Sequence, residues 1–161
     1  MKTFHVTQRF AAPATAVADA FRAEATWATF AGLPFVGDPE LVSFESGSPT
    51  RVAMAYWVNV SLPGLASKFI DPDKLSFVEH TELAEDGSGI FEIVPDHYPK
   101  LLAASGRIEL ASTSDESCER HVHGAVDVSL GWSGKLFEGP VEDAIVQGLA
   151  NALTAQADQI L

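Results

Sequence analysis

Two histidines have the side-chain type and spacing that metal binding needs. His121 and His123 are two residues apart in an alternating segment, so they share one face of a predicted strand. A His-x-His pair of this kind can supply two ligands to zinc or iron. However, Val122 and Val126 occupy the opposite face, which we expect to face the core. We therefore interpret the histidine pair as solvent-facing and predict no metal site.

Glu79 is an acidic residue in a pattern that points toward an apolar interior. It shares a face of a predicted strand with Leu75 and Phe77, where burial would raise the pKa of its carboxyl and suit it to general acid or base catalysis. The adjacent His80 points to the opposite face, so the two side chains cannot form a dyad. A salt bridge from Glu79 to Arg107, or exposure at a frayed sheet edge, is the simpler interpretation. No residue is therefore predicted to be catalytic.

The other reactive side chains fit no catalytic motif. Asp96, His97 and Tyr98 lie in a proline-bracketed loop, which could carry functional groups at a cavity rim or could simply be exposed. Cys118 falls in a predicted turn among acidic residues, which oppose thiolate formation, so we expect an inert thiol. The sequence contains no Gly-x-Ser-x-Gly, P-loop, dinucleotide-binding, His-Glu-x-x-His or EF-hand motif. No cofactor is predicted.

Alternating apolar residues predict about seven strands that would position these side chains. A helix of about three turns is expected after Pro13, between the first and second strands. Turns that contain glycine, proline or acidic residues separate the later strands, which is typical of an antiparallel sheet. The predicted strands span residues 3–10, 40–46, 51–60, 74–83, 90–94, 101–112 and 120–130.

The last segment of the chain changes from a period of two to a helical period. Polar side chains in residues 141–161 fall on one narrow arc of a helical wheel, which predicts a surface helix roughly 32 Å long. Pro140 suits the first turn of that helix. The face toward the sheet repeats small residues, which would leave space beneath the helix: Ala144, Gly148, Ala152 and Ala155.

The composition fits one domain over residues 1–161. The chain has 161 residues, of which 47% are hydrophobic, and this length suffices for a single core. Its formal net charge of -12 repels phosphate backbones and anionic membrane surfaces, so we predict no nucleic-acid partner. The first residues lack a signal-peptide pattern, and the longest uncharged run, 52–67, is too short for a membrane helix. We therefore expect a cytoplasmic protein without stable membrane insertion.

Two segments and the order of the predicted elements resemble a known superfamily. Residues 4–17, Phe-His-Val-Thr-Gln-Arg-Phe-Ala-Ala-Pro-Ala-Thr-Ala-Val, are similar to the first strand and first helix of the START-like superfamily, also called SRPBCC. Gly-Lys-Leu-Phe-Glu at 134–138 is similar to the segment before the last helix in a bacterial family of uncharacterised proteins within that superfamily. The resemblance implies an α+β helix-grip fold, in which a curved antiparallel sheet of about six to seven strands wraps around a long C-terminal helix. Pro140 departs from the pattern, because it would fall within that helix.

The resemblance also implies a cavity between the sheet and the last helix. Members of the superfamily bind sterols, lipids, polyketides or hormones there, and only some of them catalyse reactions. The small residues of the last helix are consistent with such a cavity, although aromatic side chains of the sheet could fill the space instead. We expect the ligand-binding residues to be Phe30, Tyr56, Phe77, Glu79, Phe91, Ile145, Gly148, Leu149, Ala152 and Gln156.

Three functions remain open from the sequence. The leading hypothesis is non-covalent binding of a small hydrophobic or amphipathic molecule in the cavity, with Tyr56, Glu79 and Gln156 fixing its orientation. The second is a cyclase, aromatase or dehydratase that uses the same cavity, with Glu79 as its acid or base. The third is a protein-interaction module or homodimer without a small-molecule ligand, formed through the strand around Trp57, which is apolar on both faces.

Overall fold

Seven antiparallel strands form one sheet in a computed structural model of the protein, which describes residues 1–59, 68 and 70–160. Two short helices follow the first strand and a long helix follows the last, so the predicted α+β helix-grip fold is confirmed. Across the sheet the strand order is β1-β7-β6-β5-β4-β3-β2. The strands are β1 (Lys2–Phe10), β2 (Glu40–Glu45), β3 (Thr50–Trp57), β4 (Ser76–Leu83), β5 (Gly89–Pro95), β6 (Leu102–Ser114) and β7 (Ser117–Val128), and the helices are α1 (Ala14–Phe21), α2 (Glu24–Ala28) and α3 (Gly131–Asp158).

Strand β3 shows how alternation places the core on one face of the sheet. Val52, Met54 and Tyr56 are buried, whereas Trp57 is half exposed. Successive side chains of a strand point to opposite faces, so the inner faces of the strands pack with the helices into one cluster. β3 ends at Trp57, and Val60 at the end of the predicted strand lies outside the described residues.

Helix α3 begins ten residues earlier than predicted. It runs for 28 residues, roughly 42 Å, with Pro140 inside it, so the prediction that Pro140 opens the helix is wrong. Glu142 accepts a hydrogen bond from the Val128 backbone N–H at 3.0 Å, and Glu138 accepts one from the Leu130 N–H at 3.0 Å. These bonds hold the first half of α3 against the end of β7. Within the described part of the chain, no helix combines the length and apolar character needed to cross a bilayer.

Two short helices replace the single helix predicted after Pro13. Between them, Trp27 Nε1 donates a hydrogen bond of 2.7 Å to the Phe21 carbonyl, which satisfies an acceptor at the end of α1. The rings of Phe21, Trp27 and Phe30 pack edge to face in the core. The aromatic contacts explain why the chain turns here instead of continuing as one helix.

Cys118 is a buried residue of β7, so its predicted position in an exposed turn is wrong. It pairs with Phe10 of β1 on one side and with Ser112 of β6 on the other. Burial raises the pKa of its thiol, which keeps it protonated at neutral pH. The thiol is unreactive because it is buried, and its acidic neighbours in sequence are not the cause.

Candidate ligand-binding cavity

An apolar cavity of about 50 Å³ lies between the middle of α3 and strands β4 to β6. Phe35, from the loop before β2, and Phe77 of β4 form two of its walls. Tyr98, from the loop between β5 and β6, and Ala144 and Leu149 of α3 form others. Its surface is almost wholly apolar. Burial of apolar ligand surface here would therefore be favourable, by about 25 cal/mol for each Å².

Two separate cavities of about 30 Å³ each follow along α3 toward its C-terminal end. Their walls are mainly apolar, and we call them the polar cavities for the polar side chains that they contain. Both polar cavities are bordered by Glu79 of β4 and by Leu153 and Gln156 of α3. Arg120 of β7 borders one of them, and Tyr56 of β3 borders the other. The helix–sheet interface thus has an apolar end and a polar end.

Leu149 is the side chain that separates the two ends of the interface. It borders the apolar cavity and both polar cavities. Ile93 of β5 also borders both the apolar cavity and the polar cavity that Arg120 lines. A change in the Leu149 rotamer would therefore join these spaces into one elongated site.

A buried chain of hydrogen bonds crosses the polar end. Arg120 Nη1 donates to Gln8 Oε1 at 2.7 Å, and Gln8 Nε2 donates to Gln156 Oε1 at 3.1 Å and to the Leu153 carbonyl at 2.6 Å. All three polar side chains are buried. The bonds connect β7, β1 and α3, so they fix the position of the helix on the sheet as well as the walls of the cavity.

The Arg120 guanidinium is a buried cation with few partners. It is 2% exposed, and its Cζ lies 3.9 Å from the centroid of the Phe21 ring, a cation–π contact. Its Nε has no hydrogen-bond partner among the described residues. Burial lowers the pKa of Arg120 to about 10, and the charge of Glu79 acts against that shift. Arg120 therefore keeps its proton at neutral pH.

Glu79 faces the interior, as the alternation of β4 predicts, and it retains some accessible surface because it borders both polar cavities. Burial raises the pKa of its carboxyl, whereas a hydrogen bond of 3.1 Å from Thr81 Oγ1 and the charge of Arg120 lower it. The alternative of a salt bridge to Arg107 is wrong, because Arg107 pairs with Glu109 at 3.1 Å. The frayed-edge alternative is also wrong, since β4 lies between β3 and β5.

Most of the predicted site residues surround these cavities, but Phe30 and Gly148 do not. Phe30 packs against Trp27 in the core. Gly148 lies under the ring of Phe35, where an added Cβ would be 2.3 Å from a ring carbon. The space left by this glycine is therefore filled, and by a loop residue that no sequence pattern indicated. The predicted residues that border a cavity are Tyr56, Phe77, Glu79, Phe91, Ile145, Leu149, Ala152 and Gln156.

The sequence analysis did not identify Gln8 and Arg120, although a signal for both was present. Gln8 is in phase with the buried Val6 in β1, and Arg120 is in phase with the buried Val122 in β7. Extending the alternation to these polar residues places them on the inner face. Of the two alternatives for the loop that carries Tyr98, a cavity rim or simple exposure, the structure favours the first, because His97 and Tyr98 border the apolar cavity.

The predicted histidine pair lies on the outer face of the sheet, where His5 joins it. His5 Nε2 and His121 Nδ1 are 3.1 Å apart, and the ring of His5 stacks on His123 with centroids 4.1 Å apart. Across the residues that the structure describes, no three or more histidine, cysteine or acidic side chains are arranged to hold a metal ion. The histidines are also separated from the interior cavities by the sheet itself.

Comparison with known proteins assigns a family to this fold. Residues 5–161 match the family described as "Protein of unknown function (DUF2505)". The chain belongs to this family. A comparison of the DUF2505 chain with functionally curated proteins gives no match. The predicted resemblance to an uncharacterised family with a START-like fold is thereby confirmed.

Solved structures share the fold of this DUF2505 protein at low sequence identity. The protein TTHA0849 from Thermus thermophilus has a TM-score of 0.69 at 12% identity, covering 98% of this chain and 96% of its own. The Zhui aromatase/cyclase from a Streptomyces species has a TM-score of 0.63 at 13% identity, covering 98% and 94%. A START superfamily protein from Mycobacterium smegmatis has a TM-score of 0.52 at 15% identity, covering 98% and 97%. At these identities the likeness shows the START-like fold alone.

Proposed function

We propose that this protein binds a small amphipathic molecule between its sheet and α3. The observation that carries the proposal is that an almost wholly apolar cavity adjoins, across Leu149, two cavities bordered by Glu79 and Gln156, one of which Arg120 also borders. An apolar pocket with a few convergent polar groups is the usual form of a small-molecule site. The apolar end would supply affinity, and the polar end would orient the molecule.

The size of the cavities limits the proposed ligand. At about 50 and 30 Å³ they are well below the roughly 300–1,000 Å³ of a drug-sized site. The wall residues Phe35, Tyr98 and Leu149 can change rotamer to enlarge the space, because each side chain borders a void. The ligand is therefore a molecule of few carbon atoms, such as a short acyl chain or a single aromatic ring.

A filled-cavity variant tests the proposal. 1-Octanol would be titrated into the wild-type protein and into Ala144→Leu, whose added carbons occupy the apolar cavity, and binding would be followed by ¹H–¹⁵N NMR chemical shifts. We expect saturable binding by the wild-type protein and at least about tenfold weaker binding by the variant, since lost apolar burial reduces affinity.

The matched control is Ala150→Leu, which adds the same side chain to the same helix at a position that borders none of the three cavities. Its affinity should remain within about twofold of the wild-type value. Equal loss in both variants, or no saturable binding of either 1-octanol or octanoate by the wild-type protein, would overturn the proposed function.

A second candidate function is catalysis in the same cavity, and Glu79 is the observation that favours it. Its pKa is raised by burial, and it borders the cavities beside Arg120, which suits a general acid or base. The aromatase/cyclase among the similar structures shares the fold. Proton abstraction next to a carbonyl would be the step that this carboxylate performs.

Exchange of protons next to a carbonyl tests this second candidate without a known substrate. The exchange of 2-octanone protons in D₂O would be followed by NMR with the wild-type protein and with Glu79→Gln. Catalysis predicts exchange above the buffer rate that falls by about 10²-fold or more in the variant, the usual loss when an acid or base is removed. Exchange at the buffer rate in both samples would eliminate this role for Glu79.

A further inference from the structure

The most unusual group in the interior is a buried cation with no anion bound to it. Among the described residues, the Arg120 guanidinium makes one hydrogen bond, from Nη1 to the neutral side chain of Gln8. The face of the guanidinium lies over the Phe21 ring. Placing a charge in an apolar interior is costly unless the charge is paired and hydrogen-bonded. The polar end of the interface therefore contains a buried positive charge that forms no ion pair with any described residue.

The acidic side chain that borders the same cavity, Glu79, does not pair directly with the guanidinium. Glu79 borders the same polar cavity, but its hydrogen bond is with Thr81 Oγ1, and it forms no ion pair with Arg120 in the described structure. Gln156 also borders the cavity, and its Oε1 is already used by Gln8 Nε2. The direct contacts of the guanidinium in the described structure are therefore one neutral hydrogen-bond acceptor and the Phe21 ring, and the charge of Glu79 acts on it without an ion pair.

The N–H groups of the guanidinium indicate which chemical group would bind to it. With Nη1 bonded to Gln8, Nε is buried and has no hydrogen-bond partner among the described residues, and Nη2 donates no hydrogen bond to any of them. Two parallel N–H donors along one edge match the two oxygens of a carboxylate. The adjoining polar cavity of about 30 Å³ has room for about two water-sized oxygen atoms, given about 10–15 Å³ for each.

The position of Arg120 beside the polar cavity also indicates where the rest of the ligand would lie. Ile93 and Leu149 are shared by the polar cavity of Arg120 and the apolar cavity. A carboxylate held at Arg120 would therefore direct its hydrocarbon part past Leu149, toward the walls formed by Phe35 and Tyr98. A ligand that follows this path has one charged end and one apolar end.

We propose that the ligand of this cavity is an apolar monocarboxylate, whose carboxylate binds the Nε–Nη2 edge of Arg120 and whose hydrocarbon part occupies the apolar cavity. This inference rests on the proposed binding function and specifies its ligand class. Fatty acids of short chain and arylalkanoic acids both have this chemistry. A neutral alcohol of the same length lacks the charge that Arg120 would pair with.

A comparison of matched ligands tests the inference. Octanoate and 1-octanol would each be titrated into the wild-type protein at neutral pH, and binding would be followed by ¹H–¹⁵N NMR chemical shifts. We expect octanoate to bind at least about tenfold more tightly than octanol, because a charge-assisted hydrogen bond contributes at least that factor. If octanol binds but octanoate binds no more tightly, the carboxylate inference is overturned and the binding function stands. If nothing binds, both fail.

Variants then locate the charge that discriminates the two ligands. Arg120→Met keeps a long side chain and should remove the preference for octanoate, while octanol still binds. Arg107→Met on the outer face of the sheet removes the same charge far from the cavity and should keep the preference. Thermal unfolding would verify that both variants fold. Arg120→Lys keeps the charge but loses the paired N–H donors of the guanidinium, so it should show a reduced preference for octanoate. A preference that survives in a folded Arg120→Met protein would overturn the inference.

Discussion

The two ends of the interface between the sheet and α3 are built in opposite ways. At the apolar end, Phe35, Phe77 and Tyr98 surround a void with few polar atoms. At the polar end, Gln8 and Arg120 are buried in a hydrogen-bond chain that reaches α3. Apolar contacts are non-directional and tolerate rearrangement, whereas hydrogen-bonded buried groups have one arrangement. The comparison indicates that the apolar end adapts to a ligand and the polar end positions it.

The largest expected effect comes from breaking the polar end. Gln8→Leu removes the hydrogen-bond acceptor of the buried Arg120 guanidinium, which should lower the free energy of unfolding by about 2–3 kcal/mol. Urea unfolding would measure the loss. The exposed Gln147→Leu is the control and should change stability by less than about 0.5 kcal/mol.

A double variant sharpens this prediction. Gln8→Leu combined with Arg120→Met replaces both polar groups by apolar ones, and most of the lost stability should return. If the double variant is as unstable as Gln8→Leu alone, the loss arises from packing around residue 8, and the account of the buried charge is incorrect.

An intermediate effect is expected at the apolar end, where Gly148 packs under Phe35. Gly148→Ala should destabilise the protein by about 1–2 kcal/mol, because the new Cβ would overlap the Phe35 ring. In a Phe35→Ala background the ring is absent, and the same change should instead stabilise the protein by up to about 1 kcal/mol through helix propensity. Thermal or urea unfolding of the four proteins gives the coupling. If Gly148→Ala destabilises the protein both with and without the Phe35 ring, the packing of Phe35 on Gly148 described here is contradicted.

The smallest effect is the pH dependence that Glu79 contributes. Burial raises the pKa of this carboxyl above its ordinary value of 4.5, so the folded protein binds a proton that the unfolded chain has released. The free energy of unfolding should therefore fall as pH rises from 4.5 through the pKa of the folded state. Arg120 and Tyr56 are the other titratable side chains at the polar end.

Glu79→Gln should remove that part of the pH dependence. The free energy of unfolding of the variant, relative to that of the wild-type protein, should therefore increase as pH rises. The control is Glu92→Gln, an exposed carboxyl on the neighbouring strand β5, which should leave the slope unchanged. Stability would be measured by urea unfolding at several pH values. An equal slope for the wild-type protein and Glu79→Gln would show that burial does not raise the pKa of Glu79.

Local patterns in the sequence were sufficient to predict the sheet but not the start of the last helix. Alternation is a property of each strand alone, so the strands and the inward position of Glu79 follow from it. Pro140 is a strong local signal for a helix start, but the helix begins before it, where Glu142 and Glu138 accept hydrogen bonds from the backbone N–H groups of Val128 and Leu130. Those bonds depend on the fold and are invisible in a short window of sequence.

The residues of the candidate site also fall into those that local sequence patterns predict and those that they do not. Tyr56, Glu79 and Gln156 follow from strand and helix periodicity, and the structure brings all three to the polar cavities. The bond between Gln8 and Gln156 joins residues 148 positions apart, so no local pattern reports it. Phe35 comes from an irregular loop with a positive φ of 75°, for which periodicity makes no prediction. Its ring fills space that the small residues of α3 had suggested was empty.

The central claim is that one elongated site binds a charged group at its polar end and an apolar group at the other. Isotope-filtered NOE spectra of ¹³C-labelled octanoate on the wild-type protein test it directly. The account predicts contacts from the terminal methyl to the Tyr98 ring and from the C2 protons to Leu153 and Gln156. The reverse pattern, or contacts confined to residues outside the helix–sheet interface, would contradict it.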